Sequence, residues 1–509
     1  MPLFTDADRV FVEAIAQVDY CNPFTPARIE LERQSLGADF LEVDSAWNMR
    51  ADSEGHSTNS DRMQARARQV ADAARQRIAA GELASAKELS LYEDVVVFIL
   101  YHRYYDLFHQ FIADSYANLA ANPKTGFYQR FLADASHYIR VPGVKLPGGE
   151  PPEVIFALLF QIRRAFFHIF NQIVGSSRAI SRLRAAVWQS IFTHNVRRYR
   201  RSIYASMGDI TTLVTGPSGT GKELVARAIS LARFIPFDPR TETFEEGFAS
   251  SFHPLNLSAL SPTLIESELF GHCRGSFTGA IGDRVGWLES CGRYGTVFLD
   301  EIGELDGQIQ VKLLRVLQSR SFQRLGEQKG RTFRGKVIAA TNRDLAAEIE
   351  AGRFREDLFY RLCSDMITTP SLHEQLAEDP DELLHLIRFI ARQLVPGEAD
   401  VLAKEVLVWI HSHLGETYAW PGNFRELEQC LRNVLVRGEY RPAIRSARGV
   451  REELAQDFIQ GTISADELLK RYCTLVYAQT QSYVATADRL GIDRRTAKAK
   501  VDEELLKRL

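Results

Sequence analysis

The sequence predicts a multidomain chain: a mostly helical N-terminal domain, a central α/β domain with a helical lid, and an all-α C-terminal domain. Three observations carry this expectation. Up to about Phe170 apolar residues recur at helical spacing. From Ile173 short apolar strands alternate with helical stretches, the pattern of a mostly parallel sheet covered on both faces. From Ser464 the chain is helical again, with a glycine turn at Gly491. The expected boundaries are 1–165 for a helical signal-input domain, 166–369 for the α/β core and 370–437 for the lid. A linker or capping segment at 438–463 and a final domain at 464–509 follow. A chain of 509 residues is too long for one ordinary domain, and its 45% hydrophobic content suffices for well-buried cores.

Bulk properties narrow the function classes. A formal net charge of −3 confines any nucleic-acid contact to local patches. The six cysteines show no CxxC or zinc-finger spacing and read as reduced thiols of a cytoplasmic protein. The start MPLFTDADRV is charged at once and lacks the apolar stretch of a signal peptide. Val95 to Tyr101 is far too short to span a bilayer, so no membrane association is expected.

The elements follow in order. Asp61 to Ala80 carries Met63, Val70, Ala74 and Ile78 as an apolar stripe before a stop at Gly81. Leu89 to Leu119 is a helical run whose Tyr101, Tyr104, Tyr105, Phe108 and Phe111 read either as core or as the lining of a ligand pocket. Glu153 to Phe170 is a helix with Ile155, Leu158, Leu159, Ile162, Phe166 and Ile169 on one face. Strands are expected at Thr211 to Thr215, Gly295 to Leu299 and Val337 to Ala340, and helices at Glu223 to Leu231 and Ile309 to Gln318. Asp381 to Leu394 and Lys404 to His413 supply the helical lid.

Between the first strand and its helix lies GPSGTGKE: Gly216, Pro217, Ser218, Gly219, Thr220, Gly221, Lys222 and Glu223. This satisfies the GxxxxGK core of a phosphate loop, with glycines that let backbone N–H groups curl around phosphates and Lys222 reaching the β- and γ-phosphates. The generic motif ends in Ser or Thr, where this chain has Glu223. VFLDE delivers Asp300 and Glu301 to the carboxyl end of a buried strand, where open α/β sheets place ligands. Asp300 is suited to hold a metal, and Glu301 to orient or deprotonate an attacking water; ATP and Mg2+ are the implied cofactors. ATN closes the third strand with Asn342, an amide able to orient water or the γ-phosphate. In FREDLFYRL, Arg355 and Arg361 do not share a helical face at one site, and read either as surface residues or as arginine fingers toward a neighbouring subunit. WPGNFREL brings Arg425 to a subdomain boundary, where it is placed to sense the nucleotide.

The segment GHCRGSFTGA lies between these two halves. Gly275 and Gly279 flank Phe277 and permit unusual backbone angles, so Phe277 is either a single apolar contact that a motor extends or a ring tucked into a tight surface turn. At the other end of the chain, Val484, Ala487 and Leu490 are expected to pack a first helix, Gly491 to turn, Ile492 to anchor and Asp493 to cap the next helix. That helix presents Arg494, Arg495, Thr496, Lys498 and Lys500, a basic face that reads either as a contact for double-stranded DNA or as the solvated side of a dimerisation helix.

Taken together these residues resemble the bacterial enhancer-binding proteins, the AAA+ activators of sigma-54 RNA polymerase, over about Ile173 to Leu435 and the C-terminal helical unit. IVGSS resembles the start of their central domain, and GPSGTGKE their phosphate loop, in which Glu at the last position is usual. LIESELFGH followed by GSFTGA is the most specific match: Gly275, Ser276, Phe277, Thr278, Gly279 and Ala280 correspond to the family's GAFTGA loop, which engages sigma-54. The resemblance implies that Asn256 relays nucleotide state through Glu301, that Asp300 is the magnesium-associated carboxylate and Asn342 sensor I. It also implies that Arg355 and Arg361 act across a ring interface and Arg425 as sensor II. YVATADRLGIDRRTAKAKV resembles the family's Fis-type helix-turn-helix.

The implied protein is an ATPase that binds upstream DNA through a dimeric C-terminal unit, self-associates into a hexameric ring and remodels promoter-bound sigma-54 RNA polymerase. Remodelling of another DNA-bound protein, or DNA binding as a repressor, are the alternatives. Four features depart from the family: Ser276 for alanine, apparent insertions at 196–209 and 237–251, and SLHEQ at Ser371 to Gln375 in place of an arginine-containing turn. The first 165 residues lack the strand-end acidic cluster of a phosphoacceptor domain, which leaves a small molecule or a protein partner as the input signal.

Overall fold

Local sequence signals set where the N-terminal helices begin and end. The Thr5 hydroxyl accepts the Asp8 N–H to start α1 (Asp6–Tyr20), and Pro26 opens α2 (Pro26–Leu36). α3 (Thr58–Ala79), α4 (Ala86–Ala117), α5 (Tyr128–Ile139) and α6 (Pro152–Gln172) follow. Gly81, at φ 87°, ends the α3 turn as its position in the sequence suggests. Ser177 caps α7 (Arg178–Phe192), and α8 (Val196–Arg198) runs into a wide helical turn, Tyr199–Ile203. The computed structural model describes residues 2–42, 58–117, 122–142, 144–379, 381–416, 418–442 and 463–502, with 454, 457, 458, 461, 505 and 506. Much of the linker or capping segment expected at 438–463 lies outside the described residues.

Among the described residues the strands are β1 (Thr212–Thr215), β2 (Phe237–Asp238), β3 (Thr243–Phe244), β4 (Phe252–Asn256), β5 (Thr296–Asp300), β6 (Ser321–Phe322), β7 (Arg331–Thr332), β8 (Lys336–Thr341) and β9 (Asp365–Thr368). Five make one parallel sheet in the order β4–β5–β8–β1–β9, while β2–β3 and β6–β7 are separate antiparallel pairs. Crossovers are supplied by α9 (Lys222–Leu231), α10 (Pro262–Phe270), α11 (Trp287–Ser290), α12 (Gly307–Ser319), α13 (Leu345–Glu350) and α14 (Glu356–Leu362). The lid is α15 (Leu372–Glu378), α16 (Glu382–Leu394), α17 (Ala399–His413) and α18 (Asn423–Arg437). Several elements have no counterpart among those expected from the sequence, among them α1, α2, α5, α7 and α10 and the sheet strands β4 and β9.

Alternation along the strands divides the apolar interior in two. Leu213, Leu255, Val297, Leu299, Val337 and Ala339 point to one face, against α10 and α12. Val214, Phe298, Ile338, Ala340 and Ile367 point to the other, into a core that continues without a break through α9, α7 and α6 to Phe108, Tyr92 and Phe11. The N-terminal helices therefore cover one face of the sheet. The boundary expected at 165/166 falls inside α6, and residues 1–436 form one compact unit, with 437–509 a second.

Polar contacts within this core are specific. Arg164 of α6 is buried and donates to the carbonyls of Leu231 (3.0 Å) and Arg233 (2.5 Å) at the C-terminal end of α9, and Gln161 donates to Ala232 at 3.0 Å. These are the carbonyls that a helix end leaves without partners, and a cation there also suits the helix dipole. Burial lowers the Arg164 guanidinium to about 10, so it stays charged at neutral pH.

Both apparent insertions serve the same junction. In 237–251, Phe237 packs on Tyr128 (ring centroids 4.6 Å) and Phe156 (4.7 Å), and Phe244 on Phe160 (4.5 Å). The Thr125 N–H donates to the Glu242 carbonyl at 2.9 Å. In 196–209, Arg197 pairs with Asp94 at 2.6 Å, and Arg200 with Glu150 at 3.0 Å and Glu93 at 3.2 Å.

Among its described residues the second unit includes the helices Ala465–Thr480, Tyr483–Leu490 and Arg494–Lys500. Gly491 turns between the last two at φ 65°, and Asp493 caps the third through the Arg495 N–H at 2.7 Å.

Replacing Arg164 with Met keeps the apolar bulk but strips partners from two buried carbonyls. Arg164→Met is expected to cost roughly 3 kcal/mol of stability in the first unit, read as a lowered thermal midpoint. A midpoint equal to that of the parent chain would show that α6 does not hold the end of α9.

Candidate functional site

The phosphate loop forms because three of its glycines hold conformations that a side chain cannot. Gly216 sits at φ 142° with an added Cβ only 2.1 Å from Thr369 Oγ1, and Gly219 at φ 79° with one 2.4 Å from the Gly422 carbonyl. Gly221, at φ 85°, is the cap from which α9 starts. Lys222 is buried at the first position of α9 and donates from Nζ to the carbonyls of Gly216 (3.0 Å) and Pro217 (3.1 Å), which puts its ammonium over the loop. Ser218 and Thr220 shape the bend, Thr220 by donating to Pro217 at 2.8 Å. Glu223 is exposed and pairs with Arg227 at 3.3 Å, so it points away from the cradle.

The acidic half sits alongside. Asp300 ends β5 and accepts the Glu301 N–H at 3.0 Å, while Glu301 adopts a left-handed backbone at φ 56°. The Asn342 N–H lies 3.4 Å from Glu301 Oε2, which brings the ends of β5 and β8 together. Burial, then the neighbouring Glu301, pushes the Asp300 carboxyl up; burial pulls the Lys222 ammonium down against the attraction of Glu301 and Asp300. Lys222, Asp300 and Glu301 are thus one interacting group at the carboxyl ends of the strands. A carboxylate whose charge is disfavoured by burial and a second acid fits a divalent cation, which would relieve both penalties.

The lid closes over the loop. Asn423, at φ 53°, donates to the Ser218 carbonyl at 2.9 Å and accepts the Leu372 N–H at 2.8 Å. The Phe424 N–H reaches Gly219 at 3.1 Å, and Arg425 reaches Ser218 Oγ at 3.2 Å. Asn423 was missed in the sequence; its place in a Pro–Gly turn gave no chemical signal. Ser371 of SLHEQ forms a capping box with Glu374, which begins α15 without the expected arginine.

Other predicted residues are elsewhere. Asn256 pairs in register with Asp300 across β4 and β5, yet its Oδ1 accepts from the N–H (3.0 Å) and hydroxyl (2.8 Å) of Ser258. Arg355 caps α14 and is held by Asp357 through two bonds of 3.0 and 2.7 Å; Arg361 lies in the last turn, and both are exposed. Tyr101 and Tyr105 line a cavity of about 110 Å³ between α1, α4, α6 and α7, whereas Tyr104 and Phe108 are core and Phe111 packs against it.

The segment 275–280 is a closed turn. The Gly275 N–H donates to Ala280 at 2.9 Å and the Ala280 N–H to Phe277 at 3.0 Å. Gly275 (φ 81°) and Gly279 (φ 102°) have open space where a Cβ would stand, so backbone angle alone requires them. Phe277 rests edge-on against His272 with centroids 5.0 Å apart, and His272 Nδ1 meets Ser267 Oγ at 2.7 Å. Thr278 is exposed, while the Ser276 hydroxyl is buried without a partner.

In the second unit Arg494, Arg495, Thr496 and Lys498 are exposed on the third helix, but Lys500 is half-buried and paired with Asp466. Val484, expected as core, is 49% exposed, because Ala487 and Thr486 face the neighbouring helix instead.

Comparison with known proteins bears on this arrangement. Residues 190–368 match the family described as the sigma-54 interaction domain. The Nif-specific regulatory protein of Azotobacter vinelandii is 44% identical over 229 residues, 45% of this chain and 40% of that one. That of Enterobacter agglomerans is 38% identical over 314 residues, 60% of this chain and 52% of that one. The transcriptional regulatory protein ZraR of Escherichia coli K12 is 42% identical over 235 residues, 46% and 49% of the two chains. The chain spans about half the length of these curated relatives. A crystal structure of NtrX from Brucella abortus aligns with a TM-score of 0.38 at 23% identity over 75% of this chain and 80% of that one. Among the described residues no helix is long and apolar enough to cross a membrane. Residues 190–368 are thus similar to the sigma-54 interaction domain, and the curated relatives that share this region are Nif-specific and other transcriptional regulatory proteins.

Proposed function

We propose that this protein is a transcription activator that couples ATP hydrolysis to remodelling of promoter-bound sigma-54 RNA polymerase. The convergence of Lys222, Asp300, Glu301 and Asn342 at the carboxyl ends of β5, β8 and the β1–α9 turn supports this reading most directly. Lys222 and the N–H groups at the start of α9 bind the phosphates, in a field favoured by the helix dipole. Asp300 would hold Mg2+, which when bound supplies positive charge against the phosphate oxygens. Glu301 orients the attacking water and takes its proton, with Asn342 fixing the water from the next strand. Arg425 reads the nucleotide from the lid.

Coupling follows the chain from the site to the turn at 275–280. Asn256 ends β4 beside Asp300 and caps the turn Leu257–Ala259, which leads directly into α10. The far end of α10 carries Ser267, whose hydroxyl meets His272, on which Phe277 rests. A shift at the end of β4 therefore has a short packed route to Phe277 and Thr278, the residues that engage sigma-54. Arg355 and Arg361 complete a neighbour's site in a hexameric ring; for Arg355 this means exchanging Asp357 for a phosphate, a swap of one bidentate anion for another. Arg494, Arg495, Thr496 and Lys498 face upstream DNA as a dimer, with Lys500 steadying the fold through Asp466. The cavity walled by Tyr101 and Tyr105 admits a small-molecule signal into the N-terminal helices, in a cytoplasmic protein.

Lys222→Ala and Glu301→Ala should each lower ATP turnover by about 100-fold or more, in an assay at protein concentrations that support the ring; normal turnover in both would sink the mechanism. Phe277→Ala is expected to keep ATPase activity and lose open-complex formation with sigma-54 polymerase, and retained opening would refute the role of the turn. Ser276→Ala removes a buried hydroxyl that bonds to nothing, so stability should stay level or rise by up to about 1 kcal/mol. A lowered thermal midpoint would mean the hydroxyl is structurally engaged.

A further inference from the structure

A second cavity of about 400 Å³ opens at the amino ends of the strands, the edge of the sheet opposite the phosphate loop. Five cations line it, Arg233, Arg293, Arg320, Arg334 and Lys336, against one lining carboxylate, Asp209. Lys336 opens β8 and is buried; its Nζ donates to the Ile210 carbonyl at 2.5 Å. Arg320 donates to Gly335 (3.0 Å) and Gly208 (3.1 Å), and Arg233 to Gly295. Backbone carbonyls therefore satisfy hydrogen bonds but leave most of the charge uncompensated. The carboxylates nearby are already committed. Asp209 is largely exposed and pairs with Arg320 at 3.0 Å, Asp365 accepts from Thr212 at 3.0 Å, and Glu246 accepts the N–H groups of Arg293 and Tyr294.

Like charges gathered at a partly buried edge repel each other, and the cheapest relief is an anion among them. Burial, then the Arg233 guanidinium, lowers the Lys336 ammonium to about 7, with Asp365 pulling the other way and Arg320 adding least, so Lys336 is only partly charged at neutral pH and a bound anion would favour its protonated form. The remaining wall is aromatic: Tyr204 and Phe234 pack at 4.5 Å between centroids, and Tyr294 also lines the cavity, with the Arg293 guanidinium 5.5 Å from its ring centre. Tyr204 and Asp209 come from the inserted segment 196–209, and Gln161 from α6, so the cavity is assembled from both sides of the junction between the N-terminal helices and the sheet.

We propose that this cavity binds a small organic phosphate bearing an aromatic ring, of the nucleoside monophosphate class: the cations hold the phosphate and the aromatic wall, Tyr204 with Phe234 above all, takes the ring. A volume near 400 Å³ is in the range of small-molecule sites and too large for a bare phosphate to fill. The site lies a full strand length from Lys222, roughly 15–20 Å at about 3.3 Å per residue, so it is separate from the hydrolytic centre.

Calorimetric titration of AMP into the full-length protein, with saturating ADP present to occupy the phosphate loop, tests this. One AMP site per chain is expected, weakened at least tenfold in the double variant Arg293→Ala/Arg334→Ala. Both side chains are exposed, which keeps the fold intact. Adenosine and inorganic phosphate should each bind at least tenfold more weakly than AMP. Absence of an AMP site under ADP, or AMP binding unchanged in the double variant, would overturn the proposal and leave the cations with a carbonyl-bridging role only. Adenosine or phosphate binding as tightly as AMP would overturn the ligand class. If ADP itself fails to bind, the hydrolytic reading falls while the AMP titration still reports on this cavity.

Discussion

The phosphate-loop helix is held at both ends, and the rest of the first unit is arranged around that constraint. At its start Lys222 folds back over the loop, with glycines that tolerate no side chain around it. At its end the buried Arg164 and Gln161 of α6 accept responsibility for three carbonyls from Leu231 to Arg233. A buried guanidinium has no water to fall back on, so moving α6 away from α9 would strand both the cation and the carbonyls. Contacts of that kind are stiff. They make the position of the N-terminal helices and the position of Lys222 parts of one packed object.

This explains why the two apparent insertions sit where they do. Neither 196–209 nor 237–251 adds to the sheet, and both lie against the N-terminal helices, one through arginine–carboxylate pairs and the other through a cluster of phenylalanines. The Arg200 pairs are mostly buried and their partners come from α4 and the loop before α6, so they fix orientation more than they add stability. The aromatic contacts supply apolar area, and each ring pair contributes about 0.5–1.5 kcal/mol beyond it. A core domain that lacked an N-terminal partner would expose Phe237 and Phe244 to water. Their presence records what the sheet is built to carry on that face.

Periodicity and motif spacing revealed the phosphate loop, the acidic strand end and the long helices, because each depends on residues close in sequence. Gly81, Asp493 and Gly491 read correctly for the same reason: caps and turns are local. β4 escaped notice since FHPLN has a proline and a histidine where a buried strand usually shows an apolar run; it lies at the sheet edge, where Pro254 costs no ladder bond. The boundary at 165/166 failed because a helix shared between two layers has no compositional seam. Val484 and Lys500 were misjudged by treating short helices as isolated: the neighbouring helix takes Thr486 and Ala487 into its contact, and Asp466 reaches across to Lys500. The five cations at the strand amino ends, scattered from 233 to 336, are gathered only by the sheet.

The turn at 275–280 shows how a modest interaction becomes useful under these conditions. Phe277 is held by one edge-on ring contact with His272, worth about 0.5–1.5 kcal/mol, and by a few backbone bonds inside the turn itself. Some of those backbone bonds move with the turn, so extension is opposed by the ring contact, by the Ser276 N–H bond to the Cys273 carbonyl and by the packing of Ser276 on Gly326. Coupling free energies between sites in proteins are commonly about 1–3 kcal/mol. On the proposed mechanism, a nucleotide-dependent difference of that size at β4 and α10 would rival a contact this weak and would be too small to disturb the buried Arg164 junction. The glycines at 275 and 279 face open space, so the turn is not wedged against a neighbour there. The hierarchy of strengths, firm behind the phosphate-loop helix and weak at Phe277, directs any strain from the site toward the turn.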